Sequence, residues 1–146
     1  MKKFVLVAAM AGSLVSGHAI AACAQNTRLG ATALKALLGG NTVCVPTTTI
    51  PTMTWQELHV GSSTSASGAL IDYKRGPGPG PDPSAPVGTW TVTGQGNGAS
   101  TVIHAYTGGN SYTYTVHPNG TNYSFCQVPS GTEIVAKVQS GGGPCL

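Results

Sequence analysis

Short runs that alternate apolar and polar residues dominate the chain from Asn41 onward. In residues 87–94, Trp90 and Val92 alternate with threonines, and tyrosines alternate with polar residues in 111–117. This period of two is typical of antiparallel strands that bury one face. Together with β-branched and aromatic enrichment, it predicts about eight strands, over residues 42–46, 53–60, 69–75, 87–94, 100–107, 111–117, 122–128 and 132–139.

Glycine-containing pairs separate several of these runs. Asn97-Gly98, Gly108-Gly109 and Asn119-Gly120 favour tight hairpins, because asparagine and glycine tolerate positive φ. Consecutive hairpins make a meander, and a long meander exposes its two edges unless it closes on itself. The sequence therefore predicts an all-β fold: a small antiparallel meander barrel or a strongly curled sheet, with a β-sandwich as the alternative.

A helical spacing precedes the strands. Apolar residues recur at intervals of three and four between residues 27 and 38, and Gly39-Gly40 ends the run. Asn26 and Thr27 are of the residue types that cap helix N-termini. We expect one short N-terminal helix over 27–38, with its apolar face on the rest of the fold.

The first 21 residues have the pattern of a cleavable signal peptide. Lys2 and Lys3 precede an uncharged apolar run, and Ala19-Ile20-Ala21 is a small-x-small cleavage site. The run is shorter than the roughly 20 apolar residues of a membrane-spanning helix, and we expect no transmembrane segment. Cleavage would leave residues 22–146 as a single β-rich domain in the bacterial periplasm or outside the cell.

Removal of the signal also changes the charge. Two of the seven basic residues lie in the signal, so the mature chain has five basic and four acidic residues. A nearly neutral domain gives no reason to expect a nucleic-acid partner.

Two polar segments interrupt the strands. Residues 61–68 are rich in serine and glycine, and residues 76–86 alternate glycine and proline, a pattern that disfavours both helices and strand ladders. We expect both to be flexible loops that either flank a ligand mouth or serve only as connections.

Four cysteines lie in the exported part: Cys23, Cys44, Cys126 and Cys145. Their even number, in a chain bound for an oxidising compartment, indicates disulfide bonds. We favour Cys23 with Cys44 and Cys126 with Cys145, because each link would tie a chain end to the nearest strand. Residues 20–23 also fit a lipobox, in which case Cys23 would carry a lipid anchor and the protein would be an outer-membrane lipoprotein.

Several short motifs resemble those of small exported proteobacterial domains of uncharacterised role. They are an L-x-G-N-T element over residues 38–42, a G-x-W element over 88–90 and the segment 123–126. The G-x-W element is also similar to that of lipocalin-like barrels. The resemblance implies a lipocalin-like barrel of unknown function, and no functional residue carries over from it.

Five aromatic residues fall on the predicted strands: Trp55, Trp90, Tyr106, Tyr112 and Tyr114. A barrel of about eight strands is wide enough either to fill with side chains or to hold one small ligand. These rings are therefore either core or the walls of a binding cavity, and the second reading predicts an exported binder of a small apolar molecule or lipid. The alternative is a protein-interaction or structural module of the cell envelope, with a solid interior.

Glu57 and His59 share one face of a predicted strand, and His104 lies on another. Together they are candidates for a metal site or an acid–base pair, which would make the protein a periplasmic metal binder. Their spacing matches no H-E-x-x-H element, and the chain contains no nucleophile elbow, phosphate-binding loop or dinucleotide fingerprint. We expect no enzyme activity and no cofactor.

Overall fold

The computed structural model describes residues 23, 26–45, 47, 55–74, 83–95 and 100–146. Within them the chain forms one helix followed by eight strands. The predicted signal peptide lies outside the described residues. The elements are α1 (Ala31–Leu38), β1 (Thr42–Val45), β2 (Trp55–His59), β3 (Ser67–Tyr73), β4 (Ser84–Thr93), β5 (Thr101–Tyr106), β6 (Ser111–Asn119), β7 (Asn122–Val128) and β8 (Glu133–Gln139).

The described strands form a closed antiparallel barrel. Each strand pairs with the next along the chain, and β8 pairs with β1 in a register that places Val43 opposite Val138. Closure pairs the two edges that an open meander would expose. The predicted meander barrel with one short helix is confirmed, and the strands do not divide into the two sheets of a sandwich.

Two strands begin earlier than predicted. β3 begins at Ser67, which pairs with Thr91, and β4 begins at Ser84, which pairs with Tyr73. The last residues of each predicted loop therefore belong to a strand. Residues 75–82, which include most of the Gly-Pro segment, lie outside the described part of the chain.

Inward-facing side chains form a continuous core through most of the barrel. Side chains at alternate strand positions pack against one another, and the apolar residues among them exclude water almost completely. Those with no exposed surface include Val43, Leu70, Trp90, Val102, Val116, Phe125 and Ala136.

Helix α1 lies across one end of the barrel, which we call the helix end. Leu29 N–H donates to the Val116 carbonyl of β6 at 2.7 Å, and Gly40 N–H donates to the His59 carbonyl of β2 at 2.8 Å. The segments on either side of the helix are thus tied to opposite walls. Between them Leu34 and the last helical residue are fully buried in the core.

The helix begins four residues later than predicted, at Ala31, and its N-cap is Gly30 rather than Asn26 or Thr27. The reason is tertiary: the hydrogen bond from Leu29 to β6 holds the preceding chain against the barrel, so helical geometry starts only after it. The predicted end at Gly39-Gly40 is confirmed, because α1 ends at the residue before them.

All four cysteines form disulfides, but the pairing that we favoured is wrong. The bonds join Cys23 to Cys126 and Cys44 to Cys145, across 103 and 101 residues of sequence. Barrel closure explains the second bond, because it places β1 beside β8 and so brings the chain after β8 to Cys44. A sulfur in a disulfide cannot also carry the thioether of a lipid anchor, so the Cys23 bond argues against the lipobox reading.

The C-terminal tail covers the outer face of β1 and β2. Thr42 Oγ1 donates to the Gly143 carbonyl at 2.8 Å, and Cys145 N–H donates to Gln56 Oε1 at 2.9 Å. These contacts bury Thr42 and Gln56 although both point away from the barrel interior. Among the described residues, no helix is long and apolar enough to cross a membrane.

Candidate functional site

A cavity of about 370 Å³ lies at the end of the barrel away from α1, which we call the mouth. Val45 and Trp55 pair with each other at this end of β1 and β2, whereas His59, at the other end of β2, meets the helix end. Tyr112 is 37 % exposed and forms part of the rim. The lining residues are Val45, Trp55, Tyr106, Tyr112, Tyr114 and Ile134.

The aromatic walls support one another. The ring centroids of Tyr106 and Tyr112 lie 5.9 Å apart, and those of Trp55 and Tyr114 lie 6.1 Å apart. Phe125 packs edge-on against Trp55 at 5.7 Å and against Tyr114 at 6.0 Å. Edge contacts of this kind are favourable and orient the rings, so the walls are in place before any ligand arrives.

Two aliphatic lining residues were not singled out from the sequence. Val45 has the same strand parity as buried Val43, and Ile134 pairs with Phe125. That parity is the signal that could have identified both as inward-facing. The height of each residue along the barrel axis, which decides between core and cavity, is not encoded in parity.

Trp90 lies apart from this cavity, although we predicted it alongside the four lining aromatics. Its side chain is fully buried toward the helix end, where the indole N–H donates to the Val60 carbonyl at 3.1 Å and the ring lies 5.5 Å from His59. Gly68 is its cross-strand neighbour, and a Cβ there would lie 2.8 Å from Trp90 Nε1. The absence of a side chain at Gly68 therefore makes room for the indole.

A chain of polar side chains runs from the cavity wall into the core. The Tyr106 hydroxyl donates to both oxygens of Glu57, at 2.8 and 3.0 Å. Glu57 Oε2 lies 3.7 Å from His104 Nδ1, and His104 Nε2 lies 3.0 Å from His59 Nε2. His59 Nδ1 completes the chain with the backbone carbonyl of Glu57 at 3.2 Å.

The carbonyl at the far end of this chain fixes the tautomers of the two neutral histidines. A carbonyl can only accept, so His59 carries its proton on Nδ1 and presents a lone pair at Nε2. His104 must then donate from Nε2, which leaves a lone pair on its Nδ1. That lone pair faces the Glu57 carboxyl group.

Burial sets the pKa values along the chain. It lowers the pKa of His104 from 6.5 to about 4 and, together with the nearby His104, holds that of His59 well below 6.5, so both rings are neutral near neutral pH. Burial also raises the pKa of Glu57 above 4.5, against the opposing effects of Trp55 and Tyr106.

The negative charge of Glu57 reaches the cavity. Burial is the largest cause that raises the pKa values of Tyr106 and Tyr114, and the charge of Glu57 is the second largest for both. The pKa of Tyr114 rises to about 12. Both tyrosines line the cavity. An ionised Glu57 therefore disfavours a second negative charge on either of these tyrosines.

Two buried polar atoms of this site have no hydrogen-bond partner among the described residues: Trp55 Nε1 and His104 Nδ1. The Trp55 N–H lies near enough to Glu57 to lower the pKa of that carboxyl group, although no hydrogen bond of ordinary length joins them. Buried polar groups in folded proteins almost always have a partner, and exceptions mark places where a ligand or water belongs.

The predicted metal candidates come together without forming a metal site. Glu57 approaches His104 at Nδ1 and His59 approaches it at Nε2, on different sides of the ring, so the three donors do not converge on one point. In the described part of the chain, no group of three His, Cys, Asp or Glu residues is arranged to hold a metal ion. The geometry is that of a hydrogen-bonded chain.

No family model, curated protein or solved structure matches the chain significantly.

Proposed function

We propose that this is an exported protein that binds a compact organic molecule in the mouth of its barrel, in the manner of a lipocalin-like carrier or receptor. The observation that carries the proposal is the cavity of about 370 Å³ walled by four aromatic and two aliphatic side chains. Small-molecule sites are typically concave, mostly apolar and supplied with a few polar groups, as this one is.

The volume favours a small ligand. Ligand pockets span roughly 300 to 1,000 Å³, and this cavity lies near the lower end of that range. Below it Phe125 and the fully buried core residues pack the described part of the barrel, which favours a compact ligand over a long acyl chain. Of the ligands expected from the sequence, a compact molecule fits better than a lipid.

The disulfides support the proposed compartment. Both link strands of the barrel to chain segments outside it, and bonds of this kind persist in oxidising surroundings such as the periplasm or the extracellular space. Secretion or periplasmic residence is therefore part of the proposal.

The test uses a neutral fluorescent probe, N-phenyl-1-naphthylamine, whose emission rises on transfer from water to an apolar site. Ile134 lines the cavity, while its neighbour Val135 is 38 % exposed on the outer surface of the same strand. I134W should fill the cavity and weaken probe binding at least about tenfold, whereas V135W should bind like the unmodified protein.

Equal weakening by both substitutions, or equal binding by all three proteins, would place the probe elsewhere and refute the proposal. Failure of the unmodified protein to bind the probe would favour the envelope-module alternative.

A further inference from the structure

We infer that the ligand of this cavity is a compact organic amine in its protonated form, with its ammonium group among the rings of Trp55, Tyr106 and Tyr114 on the side that faces Glu57. The inference rests on the proposed function, because it names the ligand class of the same cavity.

The aromatic walls supply the first part of the argument. Trp55, Tyr106, Tyr112 and Tyr114 surround one small space, and each ring face carries the negative side of a quadrupole. Aliphatic walls can also pack against a neutral apolar ligand, but they carry no such quadrupole. A cation gains from every ring that it faces, and an enclosed, poorly hydrated site increases that gain.

The charged groups supply the second part. Glu57 contacts the cavity through the Tyr106 hydroxyl, and Asp72 pairs with Glu57 across β2 and β3. Asp72 has the inward strand parity of Leu70, and Lys74 forms an ion pair with it. Lys74 is half exposed, and its charge has the smallest of the effects that shift the pKa of Glu57. The mouth thus has a buried carboxylate without a buried cation to neutralise it among the described residues.

Two facing acceptor groups behind the cavity wall supply the third part. The Glu57 oxygens accept from the Tyr106 hydroxyl, whereas His104 Nδ1 has no hydrogen-bond partner among the described residues. His104 Nδ1 and the Glu57 oxygens are both acceptors, and they face each other across 3.7 Å. An ammonium N–H is a donor that can satisfy acceptors of this kind, whereas a ligand carboxylate would add a further acceptor and a like charge. The acceptors and the Glu57 charge therefore favour amines over fatty acids and other organic anions, and the Trp55 N–H, a donor without a partner, can bond a water or a neutral acceptor atom of the ligand.

Calorimetric titration of the full exported chain with two isosteric probes tests the inference. Phenethylamine is protonated near neutral pH, and 2-phenylethanol has the same ring and linker without the charge. We expect the amine to bind at least about tenfold more tightly than the alcohol.

E57Q keeps the shape of the side chain and removes its charge. We expect this variant to lose most of the preference for the amine, measured as the ratio of its affinities for the two probes. E133Q is the matched control, since Glu133 is exposed on β8, and it should keep the preference.

Each result separates the inference from the proposed function. Equal affinities for the two probes in the unmodified protein, or tighter binding of the alcohol, would overturn the amine inference and leave a small-molecule site in place. Retention of the amine preference in E57Q would overturn the role of Glu57. Binding of neither probe, even at millimolar concentration, would overturn both the inference and the function that it rests on.

Discussion

The substitution E57Q should also stabilise the folded protein in the absence of ligand. In the unmodified protein an ionised Glu57 faces the lone pair of His104 Nδ1, and neither group can donate to the other. A glutamine at this position can still accept from the Tyr106 hydroxyl through Oε1. Its Nε2 can donate to His104 Nδ1, which supplies the hydrogen bond that the buried nitrogen lacks.

The magnitude follows from the groups involved. A buried polar atom without a partner costs about 1 to 3 kcal/mol, and a recovered hydrogen bond returns about 1 kcal/mol. Removal of a buried carboxylate adds to this gain, because every unit by which burial raises its pKa corresponds to about 1.4 kcal/mol lost on ionisation. We expect E57Q to be more stable by about 1 to 2 kcal/mol near neutral pH, or roughly 4 to 8 °C in Tm.

The gain should depend on pH in a defined direction. Because the pKa of Glu57 is raised above 4.5, the folded state holds this proton more tightly than the unfolded state. The Glu57 contribution to stability is therefore fully present below pH 4.5 and is lost as the pH rises through the folded pKa. The two proteins should be nearly equal in stability in acid and should diverge as the pH approaches neutrality.

Chemical unfolding followed by circular dichroism, repeated across this pH range, measures the difference. E133Q serves as the control. A glutamine there can still accept from the Ser124 hydroxyl, which donates to Glu133 Oε1 at 2.6 Å, so the free energy of unfolding should change by less than about 1 kcal/mol. A stability gap that is constant with pH, or an E57Q protein that is less stable near neutral pH, would refute the account of the polar chain.

Three further outcomes are expected. The double variant C44A/C145A removes the disulfide that spans 101 residues of sequence. Its free energy of unfolding should fall by about 4 kcal/mol, measured as a lower denaturant midpoint. An unchanged midpoint would contradict the pairing. Burial lowers the pKa of His104 to about 4, so the contribution of this residue to stability should be present above pH 6.5 and lost as the pH falls toward 4. The loss should be on the order of 3 kcal/mol. H104Q should flatten this dependence of the free energy of unfolding on pH. An equally steep slope in H104Q would assign the effect to another group. In G68A the new Cβ would lie 2.8 Å from Trp90 Nε1 and 1.9 Å from a backbone oxygen. Thermal unfolding should therefore show a stability lower by about 1 to 3 kcal/mol, and the fluorescence of Trp90 should change. An unchanged Tm would show that the indole is not confined there.

The architecture was readable from the sequence because strand alternation and turn residues are local signals. Alternation in β4 and β6 reports which residues face inward, and a pair such as Asn119-Gly120 reports where a hairpin turns. A meander of such hairpins has one economical way to hide its edges, so closure followed from the same observations. The start of α1 was missed, because a single tertiary hydrogen bond from Leu29 to β6 overrides the local helical pattern.

Other features depend on closure itself and carry no local signal. Cys44 and Cys145 are distant in sequence and meet only because β8 returns to β1. Trp90 shares its inward orientation with the cavity aromatics, yet its height along the barrel axis places it near α1 instead of at the mouth. Parity predicts the face of a strand that a residue occupies, whereas the neighbours at each level of the barrel are set by register.

For the candidate polar residues too, the sequence predicts which residues share a face but not how their atoms meet. That Glu57 and His59 share a face was evident from their spacing, and their convergence with His104 was anticipated. Which nitrogen of His104 meets which partner could not be read from the chain, because it depends on ring orientation in the closed barrel. That orientation distinguishes a hydrogen-bonded chain from a metal site.

The most direct test of the central claim is the methyl chemical-shift map of the protein as phenethylamine is added. If the amine enters the mouth, the methyl signals of Ile134 and Val45 should shift and saturate together, while those of Val102 and Val116, deep in the packed core, should stay in place. Shifts confined to exposed methyls such as those of Val135, with Ile134 and Val45 unmoved, would contradict it.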